Sequence, residues 1–378
     1  MNGFFSDKKP KKIDETIDLR NAFVLPPFGD AHNHTLELAY NFESFSNTLF
    51  SHGIFYLKNP NSVPRFTKQI AEKIAKPDTI DAVFANGGLT ATGGHPGVMY
   101  NTALANGPFK FLKIADYENL AFYIVNDEKE LGEKWGMILA EKPDFIKTYL
   151  LFSEEFEERR DKDVGGFKGL DPALLPLIVK KAHEAGLRVS THVNTAYDFG
   201  VAVRAGVDEI NHLPGRFSSG EEDFEKYILK ESDVKLAGEK GIYVVPTFSL
   251  FLINKNSEKT YREKVVEIQK RHLNLLKKYG VRIAFGPDTY NNTSQLEAFY
   301  LKDLAVFSNL ELIKMWSENT PQTIFPDRKI AKLKDGYEAS FIVMPENPLK
   351  NFEAVKNINY RFKQGFPIEV KTEKGNQK

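Results

Sequence analysis

The chain of 378 residues contains no cysteine. This excludes disulfides and thiolate nucleophiles, so any bound metal must be held by histidine, carboxylate or modified lysine. No run of apolar residues approaches the length that spans a membrane. Basic and acidic residues balance at 51 each, so no overall field attracts nucleic acid or an anionic membrane. These absences favour an enzyme or binding protein for small molecules.

The first residues, Met1 to Lys9, lack the uninterrupted apolar stretch of a signal peptide. As written, the sequence therefore predicts a cytoplasmic protein. A natural start further upstream, with a signal peptide, would make it periplasmic or exported. The basic cluster Lys8–Lys12 is short and is interpreted as a solvated tail. The sequence leaves homo-oligomerisation open.

Two histidines one residue apart, His32 and His34, follow the apolar run 24–29. On a β-strand, residues i and i+2 point to the same face. A strand that ends in His-x-His therefore directs two imidazoles at one point, as a metal ion requires.

Four more polar residues, far apart in the sequence, each follow or end a strand-like run. They are Lys147, His192, His212 and Asp288. Alone, each histidine would most often be a hydrogen-bonded core residue, and the aspartate could cap a turn. Their ordered recurrence at strand ends instead predicts one shared site.

Strand-like and helix-like periods alternate through the middle of the chain, which predicts parallel strands joined by crossover helices. Eight strand–helix units can be counted, so the predicted fold is a (β/α)₈ TIM barrel. The strand-like runs are 24–29, 54–57, 80–85, 145–150, 187–192, 207–211, 242–248 and 281–288. The predicted helices are 41–51, 65–75, 172–185, 198–205, 258–278, 310–317 and 320–325.

Three segments are expected to determine specificity. The stretch from Gly87 to Phe111 is rich in Gly, Thr, Asn and Pro and lacks a sustained period, so it is predicted to be a long loop at the active face. The segments 152–169 and 214–223 are predicted to be loops at the same face.

The ordered set resembles the amidohydrolase superfamily of metal-dependent hydrolases. In that family the first barrel strand carries His-x-His, the fourth Lys, the fifth and sixth His, and the eighth Asp. The resemblance runs from about Ile17 to Gly365 and is nearest to the prolidase and imidazolonepropionase-like branch. It implies one or two divalent ions, zinc above all, bound by His32, His34, Lys147, His192, His212 and Asp288.

The family also implies a small β-sandwich built by the two chain ends. The pieces 16–19 and 23–25 are strand-like near the start, and 330–333, 340–344 and 357–362 near the end, with a turn at 334–336. Because only 31 residues precede His32, the sandwich is either reduced or N-terminally truncated. The predicted domains are an N-terminal sandwich segment (1–23), the barrel (24–327) and C-terminal sandwich strands with a tail (328–378).

Lys147 needs a chemical change to bind a metal, because a protonated ammonium has no lone pair. Between apolar neighbours, a lysine loses its proton readily, and the neutral amine can add carbon dioxide. The resulting carbamate is an anionic ligand able to bridge two metals. The alternatives are that Lys147 reaches solvent or pairs with Asp144.

The resemblance implies hydrolysis of an amide or cyclic amide C–N bond by a metal-activated hydroxide. Asp288 would shuttle the proton to the departing nitrogen. His212 would polarise the carbonyl if only one metal is present.

Three residues are candidate substrate contacts: His95 in a Thr-Gly-Gly-His segment of the prolidase type, Tyr149 and Arg216. Since Arg pairs with a carboxylate bidentately, we expect a small amide with a free carboxylate, such as a dipeptide or an N-acyl amino acid. The remaining histidines, His52, His183 and His272, are predicted to be structural.

Three other functions remain open from the sequence. The same site could deaminate a ring, or it could hydrolyse a lactone or phosphoester. Outside enzymes, the chain could be a catalytically silent barrel that acts as a binding subunit. Metal content of the purified protein separates this last function from the others.

Overall fold

The structure is a computed structural model. It describes residues 3–9, 11–13, 15–37, 42–106, 113, 117–215, 223–252 and 259–371, and the side chains of 102–106 lie outside that description.

Strands and helices alternate along most of the described chain. The strands are β1 (Phe23–Leu25), β2 (Phe28–Asp30), β3 (Ile54–Asn59), β4 (Asp81–Phe84), β5 (Gly88–Thr90), β6 (Phe122–Ile124), β7 (Ile146–Tyr149), β8 (Val189–His192), β9 (Glu209–Asn211), β10 (Tyr243–Val245), β11 (Arg282–Ile283), β12 (Phe341–Met344), β13 (Tyr360–Lys363) and β14 (Phe366–Pro367). The α-helices are α1 (Phe42–Ser51), α2 (Pro64–Ala71), α3 (Gly97–Asn106), α4 (Glu128–Ala140), α5 (Phe156–Arg159), α6 (Leu175–Glu184), α7 (Ala196–Ala205), α8 (Glu231–Lys240), α9 (Lys259–Lys278), α10 (Ser294–Asp303), α11 (Asn309–Lys314) and α12 (Thr320–Ile324).

The parallel strands form the predicted (β/α)₈ barrel. One sheet has the order β11-β10-β9-β8-β7-β5-β6 and another the order β2-β3-β4. The third barrel strand is interrupted at Asn86, whose φ is 58°, so its lower half β4 pairs with β3 and its upper half β5 pairs with β7. At the other edge, the amide of Ala31 donates to the carbonyl of Phe285 at 2.7 Å. These two junctions complete the ring of strands.

The helix ends agree with their local sequence. In α7, Thr195 and Asp198 form a reciprocal capping box at the start, and Gly206 ends the helix with a φ of 82°. Such short, well-terminated connections carry the chain from the end of β8 back to the start of β9. They fix which strand ends face the same mouth of the barrel.

A residue near the end of the barrel anchors its first strand. The ring of Trp316 stacks on Phe28 with 3.8 Å between centroids, and its Nε1 donates to the carbonyl of Gly29 at 3.1 Å. Both contacts fall on β2, directly before the His-x-His segment. The predicted terminal helices 310–317 and 320–325 thus position the first ligand-bearing strand.

The chain ends meet in an antiparallel sheet with the order β1-β12-β13-β14, in which Phe23 lies opposite Met344. Two predicted strand pieces are wrong. Residues 16–19 form no strand: three of the four are exposed, and only Leu19 is half-buried. Residues 330–333 are broken at Ala331, whose φ is 65°. The predicted domain bounds at 23 and 327 stay predictions.

The predicted long loop from Gly87 to Phe111 is also partly wrong. It contains β5 and α3, and its residues 107–111 lie outside the described ranges. The strand pattern of β5 is not visible in the sequence because β5 begins with glycine. Gly88 cannot be replaced by a larger residue without a clash, since a Cβ there would lie 2.5 Å from Cε2 of Tyr149. The strand therefore needs a residue without a side chain where it passes the site.

Within the described ranges, every helix is either too short or too polar to cross a lipid bilayer.

Candidate metal centre

The six predicted ligands gather at one mouth of the barrel. They line a cavity of about 240 Å³, together with Glu37, Pro60, Asn61, His95, Pro96, Met99, Tyr149 and Tyr290. The four histidines and Asp288 lie at or beyond the carboxyl ends of barrel strands, where barrel enzymes carry their chemistry, and Lys147 lies within β7, two residues before its end.

His32 and His34 lie just past β2, which ends at Asp30. Their segment nevertheless keeps the course of the strand, because flanking backbone holds it on both sides. The amide of Asn33 donates to the carbonyl of Lys58 at 3.1 Å, and the amide of His34 donates to Thr289 at 3.1 Å. The two imidazoles therefore enter the cavity together, as their spacing predicts.

Asp288 forms the centre of the tightest group. Its Oδ1 lies 3.2 Å from Nε2 of His32 and 2.8 Å from Nε2 of His34, and its Oδ2 lies 3.6 Å from Nδ1 of His212. One ligand atom each from His32, His34 and Asp288 falls within 4.8 Å of the others.

His192 and His212 extend the group across the cavity. Their ring centroids are 4.3 Å apart, and the ring of His212 lies 4.6 Å from that of His32. Both His212 and Asp288 adopt left-handed backbone conformations, with φ of 67° and 54°. Such conformations are costly for residues other than glycine and are concentrated at functional sites. Here each follows a barrel strand and turns its side chain into the cavity.

Burial and neighbouring charges set the protonation of this group. Burial lowers the pKa of His32 to about 3, which keeps one of its ring nitrogens unprotonated, with a lone pair for a metal. Burial alone would raise the pKa of Asp288, but its interactions with His212 and His32 and its hydrogen bonds with His32 and His34 outweigh burial and hold that pKa well below the usual value. For His34, burial opposes a proton, yet Glu37 and Asp288 raise its pKa to about 9. The same two carboxylates would favour a cation at its Nε2.

The donor set fits a divalent metal. Ligands at about 2.0–2.2 Å in a tetrahedral array lie about 3.4 Å from one another, and the contacts of 2.8, 3.2 and 3.6 Å to Asp288 bracket that spacing. Imidazole with carboxylate is a combination that suits zinc.

Lys147 is deeply buried on β7 and faces this cavity. Its Nζ donates to Oδ1 of Asn211, and it lies 5.5 Å from the centre of the Tyr149 ring. The alternative in which Lys147 reaches solvent does not fit this burial, because the residue is 1% exposed.

Two of the three candidate substrate contacts lie beside the predicted ligands. The ring of His95 lies 5.0 Å from that of His192 and 5.2 Å from that of Tyr149, all between centroids. The Tyr149 hydroxyl donates to Oδ1 of Asn61 at 3.1 Å. Both residues thus lie beside the predicted ligands, whereas Arg216 falls outside the described residues.

The three other histidines make structural hydrogen bonds. His52 Nδ1 lies 2.9 Å from the Thr293 hydroxyl, and His183 Nε2 lies 2.9 Å from Asp208. His272 donates through Nδ1 to the Pro214 carbonyl at 2.9 Å. The described lining of the cavity includes none of these three histidines.

Glu37 was missed by the sequence interpretation. It lies on a short 3₁₀ turn, and its Oε1 pairs with Nδ1 of His34. Its Oε2 accepts from the hydroxyls of Tyr100 at 3.2 Å and Tyr290 at 3.3 Å. A carboxylate on the outer nitrogen of a metal-binding histidine fixes the ring and its tautomer. The signal in the sequence was an acidic residue three positions after the second histidine.

Glu37→Gln is expected to weaken binding of the first metal by about 10–100-fold. A carboxylate serves three donors with two oxygens, whereas an amide has a single acceptor atom and must turn its NH₂ toward one of them. Competition with a chromogenic chelator measures the affinity. Glu43→Gln, a change at an exposed glutamate of α1, is the control. If both variants bind metal as tightly as the wild type, Glu37 does not hold His34.

A barrel that gathers histidines, a lysine and an aspartate at one mouth has the construction of the metal-dependent hydrolase class. The sequence profile of the amidohydrolase family matches residues 166–366, over half of the chain, so the protein belongs to the amidohydrolase family. His192, His212 and Asp288 fall inside the matched range.

Among curated proteins, the chain is similar to ochratoxinase of Aspergillus niger, with 29% identity over 216 residues. That match covers 54% of this chain and 42% of the relative, so the chain spans less than half the length of the curated protein. The crystal structure of A. niger ochratoxinase has a TM-score of 0.68 and 21% identity, covering 91% of this chain and 82% of the other.

A second solved structure, a Xaa-Pro dipeptidase with bound methionine, has a TM-score of 0.71 at 18% identity, covering 98% and 93% of the two chains. A third, a prolidase complexed with N-methylphosphonate-L-proline, has a TM-score of 0.67 at 18% identity, covering 97% and 92%. At these identities, the structural similarities establish a common fold alone.

Proposed function

We propose that this protein is a metal-dependent hydrolase of C–N bonds. The observation that carries the proposal is the convergence of four histidines, a buried lysine and an aspartate on one cavity. His32, His34 and Asp288 would hold a first metal, His192 and His212 would hold a second, and Lys147, once carboxylated, would supply a further anionic ligand. Zinc is the proposed ion.

When bound, the metal lowers the pKa of water toward neutrality and polarises the carbonyl to be attacked. The side chains of the protein transfer the protons and position the ligands. Asp288 contacts three imidazoles and is ionised, so it can accept a proton from the attacking water. It then delivers this proton to the nitrogen of the leaving group. Glu37 holds the ring of His34 in place through these changes.

For the substrate we propose a small amide with a free carboxylate beside the scissile bond, such as a dipeptide or an N-acyl amino acid. A cavity of about 240 Å³ limits the size of what enters. His95 and Tyr149 lie on its wall, and Arg216 follows the sixth strand in sequence. The ligands named with two of the similar structures are N-methylphosphonate-L-proline, an amino-acid derivative, and methionine, an amino acid, and each carries a carboxylate.

The first test is elemental analysis of protein purified without chelators. One to two divalent ions per chain are expected, because the site offers donors for two. Less than about a tenth of an equivalent, even after incubation with zinc or manganese, would contradict the proposal and leave a catalytically silent barrel as the better description.

The second test is a substrate panel of dipeptides, N-acyl amino acids, cyclic ureas, lactones and phosphotriesters. Amides with a free carboxylate are expected to give the highest kcat/KM. Changing both His95 and Arg216 to Ala should raise KM at least about tenfold, since each lost charged or polar contact weakens binding. His183→Ala, a change far from the cavity, is the control. A best substrate without a carboxylate, or an unchanged KM, would refute the substrate class while leaving the metal site intact.

A further inference from the structure

A column of buried polar groups lies under Lys147, inside the barrel. Barrel interiors are usually filled by branched apolar side chains. Here the layers below the cavity hold Lys58 from β3, Ser190 from β8, and Glu209 and Asn211 from β9, all 3% exposed or less. Thr323 of α12 closes the column from below. Such a polar interior needs an explanation.

Hydrogen bonds connect the column without a break. Lys58 Nζ donates to Oε1 of Glu209 at 2.9 Å, and the Thr323 hydroxyl donates to Oε2 at 2.5 Å. The Asn211 amide donates through Nδ2 to Oε1 of Glu209 at 2.9 Å, while its Oδ1 accepts from Nζ of Lys147. The Ser190 hydroxyl lies 2.7 Å from Asn211 Oδ1 and 2.9 Å from Glu209 Oε1.

Glu209 sets the direction of the hydrogen bonds in this column, that is, which groups donate and which accept. A carboxylate can only accept hydrogen bonds, so Asn211 must turn its NH₂ toward Glu209. Its carbonyl oxygen must then face Lys147. If the residue at position 209 could also donate, Asn211 could rotate by half a turn and present a donor to Nζ. The orientation of one amide is thus set by a charge that does not touch the lysine.

The neighbours of Glu209 keep its carboxyl group ionised. Burial alone would raise the pKa of Glu209, but the ammonium of Lys58 and the hydrogen bonds from Thr323 and Lys58 outweigh it and lower that pKa to about 2. The pair is neutral overall, which avoids an isolated buried charge under the metal centre. Glu209 is therefore held in its ionised form, which only accepts hydrogen bonds.

We propose that Glu209, held by Lys58, is a positioning residue that acts through Asn211 to orient Nζ of Lys147 for carboxylation. This inference rests on the proposed function, in which Lys147 carries a carbamate. In carboxylation, the neutral amine forms a bond to the carbon of CO₂ and releases one proton, which leaves a single N–H. A carbamate is planar like an amide, so the direction of that N–H sets the plane of its two oxygens. Asn211 Oδ1 supplies the acceptor for the N–H.

The test uses a variant that changes the column without leaving an unpaired buried charge. Glu209→Gln combined with Lys58→Met removes both charges and lets position 209 donate as well as accept. Protein loaded with zinc and ¹³C-bicarbonate is followed by the carbamate signal in ¹³C NMR and by zinc content. The bicarbonate concentration needed for half-maximal carboxylation is expected to rise about tenfold, the worth of one well-placed hydrogen bond. Excess bicarbonate should restore the second zinc.

The control is Thr148→Val, on the same strand as Lys147. The Thr148 hydroxyl shares a buried hydrogen bond of 2.8 Å with Thr191, and strand alternation turns both away from the column. Thr148→Val also removes a buried hydrogen bond inside the barrel wall, but it should leave the bicarbonate dependence unchanged. Thermal melts without metal or bicarbonate compare the stability of the two variants.

Ser190→Ala provides a second, smaller probe if the double variant does not fold. It removes one donor to Asn211 Oδ1 and should raise the bicarbonate requirement by about threefold, while Thr148→Val stays at the wild-type value. Wild-type bicarbonate dependence in a folded double variant, or in Ser190→Ala when the double variant is unfolded, would overturn the inference alone. Absence of the carbamate signal from the wild type would overturn the proposed role of Lys147 and this inference together.

Discussion

Asp288→Asn is expected to retain most of the bound metal while kcat falls by ~10²–10⁴. The amide keeps an oxygen in the place of Oδ1, which contacts His32 and His34. It cannot hold a proton between the attack on the carbonyl and departure of the nitrogen. The loss should therefore appear in kcat rather than in metal content.

Metal content and kcat should be measured on the same sample of this variant. Asp161→Asn, at a side chain that is 87% exposed, controls for the charge change. If metal stays bound and kcat remains within a few-fold of the wild type, the proton moves through another group.

Lys147→Ala and Lys147→Arg are expected to lose the second metal and to reduce activity by ~10³ or more, because a bridging anionic ligand disappears. Arginine keeps the positive charge but cannot be carboxylated. Lys147→Ala leaves space beside Asn211, so acetate or propionate should bind there and recover part of the metal and activity.

Zinc content with and without added acid measures this rescue, and Lys180→Arg, at an exposed position of α6, serves as the control. Wild-type activity in Lys147→Arg would show that this lysine carries no carbamate. Rescue of Lys147→Ala by acids together with failure of Lys147→Arg would be difficult to explain in any other way.

The barrel and the six candidate ligands could be predicted because they depend on local patterns. Each ligand ends or follows an apolar run, and parallel strands bring their carboxyl ends to one mouth. The i, i+2 argument for His32 and His34 succeeded for a partly different reason than expected. Their segment lies beyond β2, and hydrogen bonds from its amides to the carbonyls of Lys58 and Thr289, rather than strand pairing along its length, keep its course.

The groups that were missed depend on contacts between distant parts of the chain. Glu37 contacts His34 locally, but its other oxygen is held by Tyr100 and Tyr290, and neither tyrosine has a periodic relation to it. Glu209 and Asn211 alternate with Ile210 as polar and apolar residues do on any strand, so nothing in that pattern marks them as a column beneath Lys147.

The tightest group in the site joins the two ends of the barrel. His32 and His34 follow the first barrel strand and Asp288 follows the eighth, where Gly286 passes so close that a Cβ would lie 2.5 Å from the amide nitrogen of His32. An ion shared by these three residues would cross-link the seam and offset the entropy of closing almost the entire barrel into one loop. The ion that takes part in the chemistry would then also hold the first and last barrel strands together. Folding of the ring would be completed only after the last strand has been synthesised.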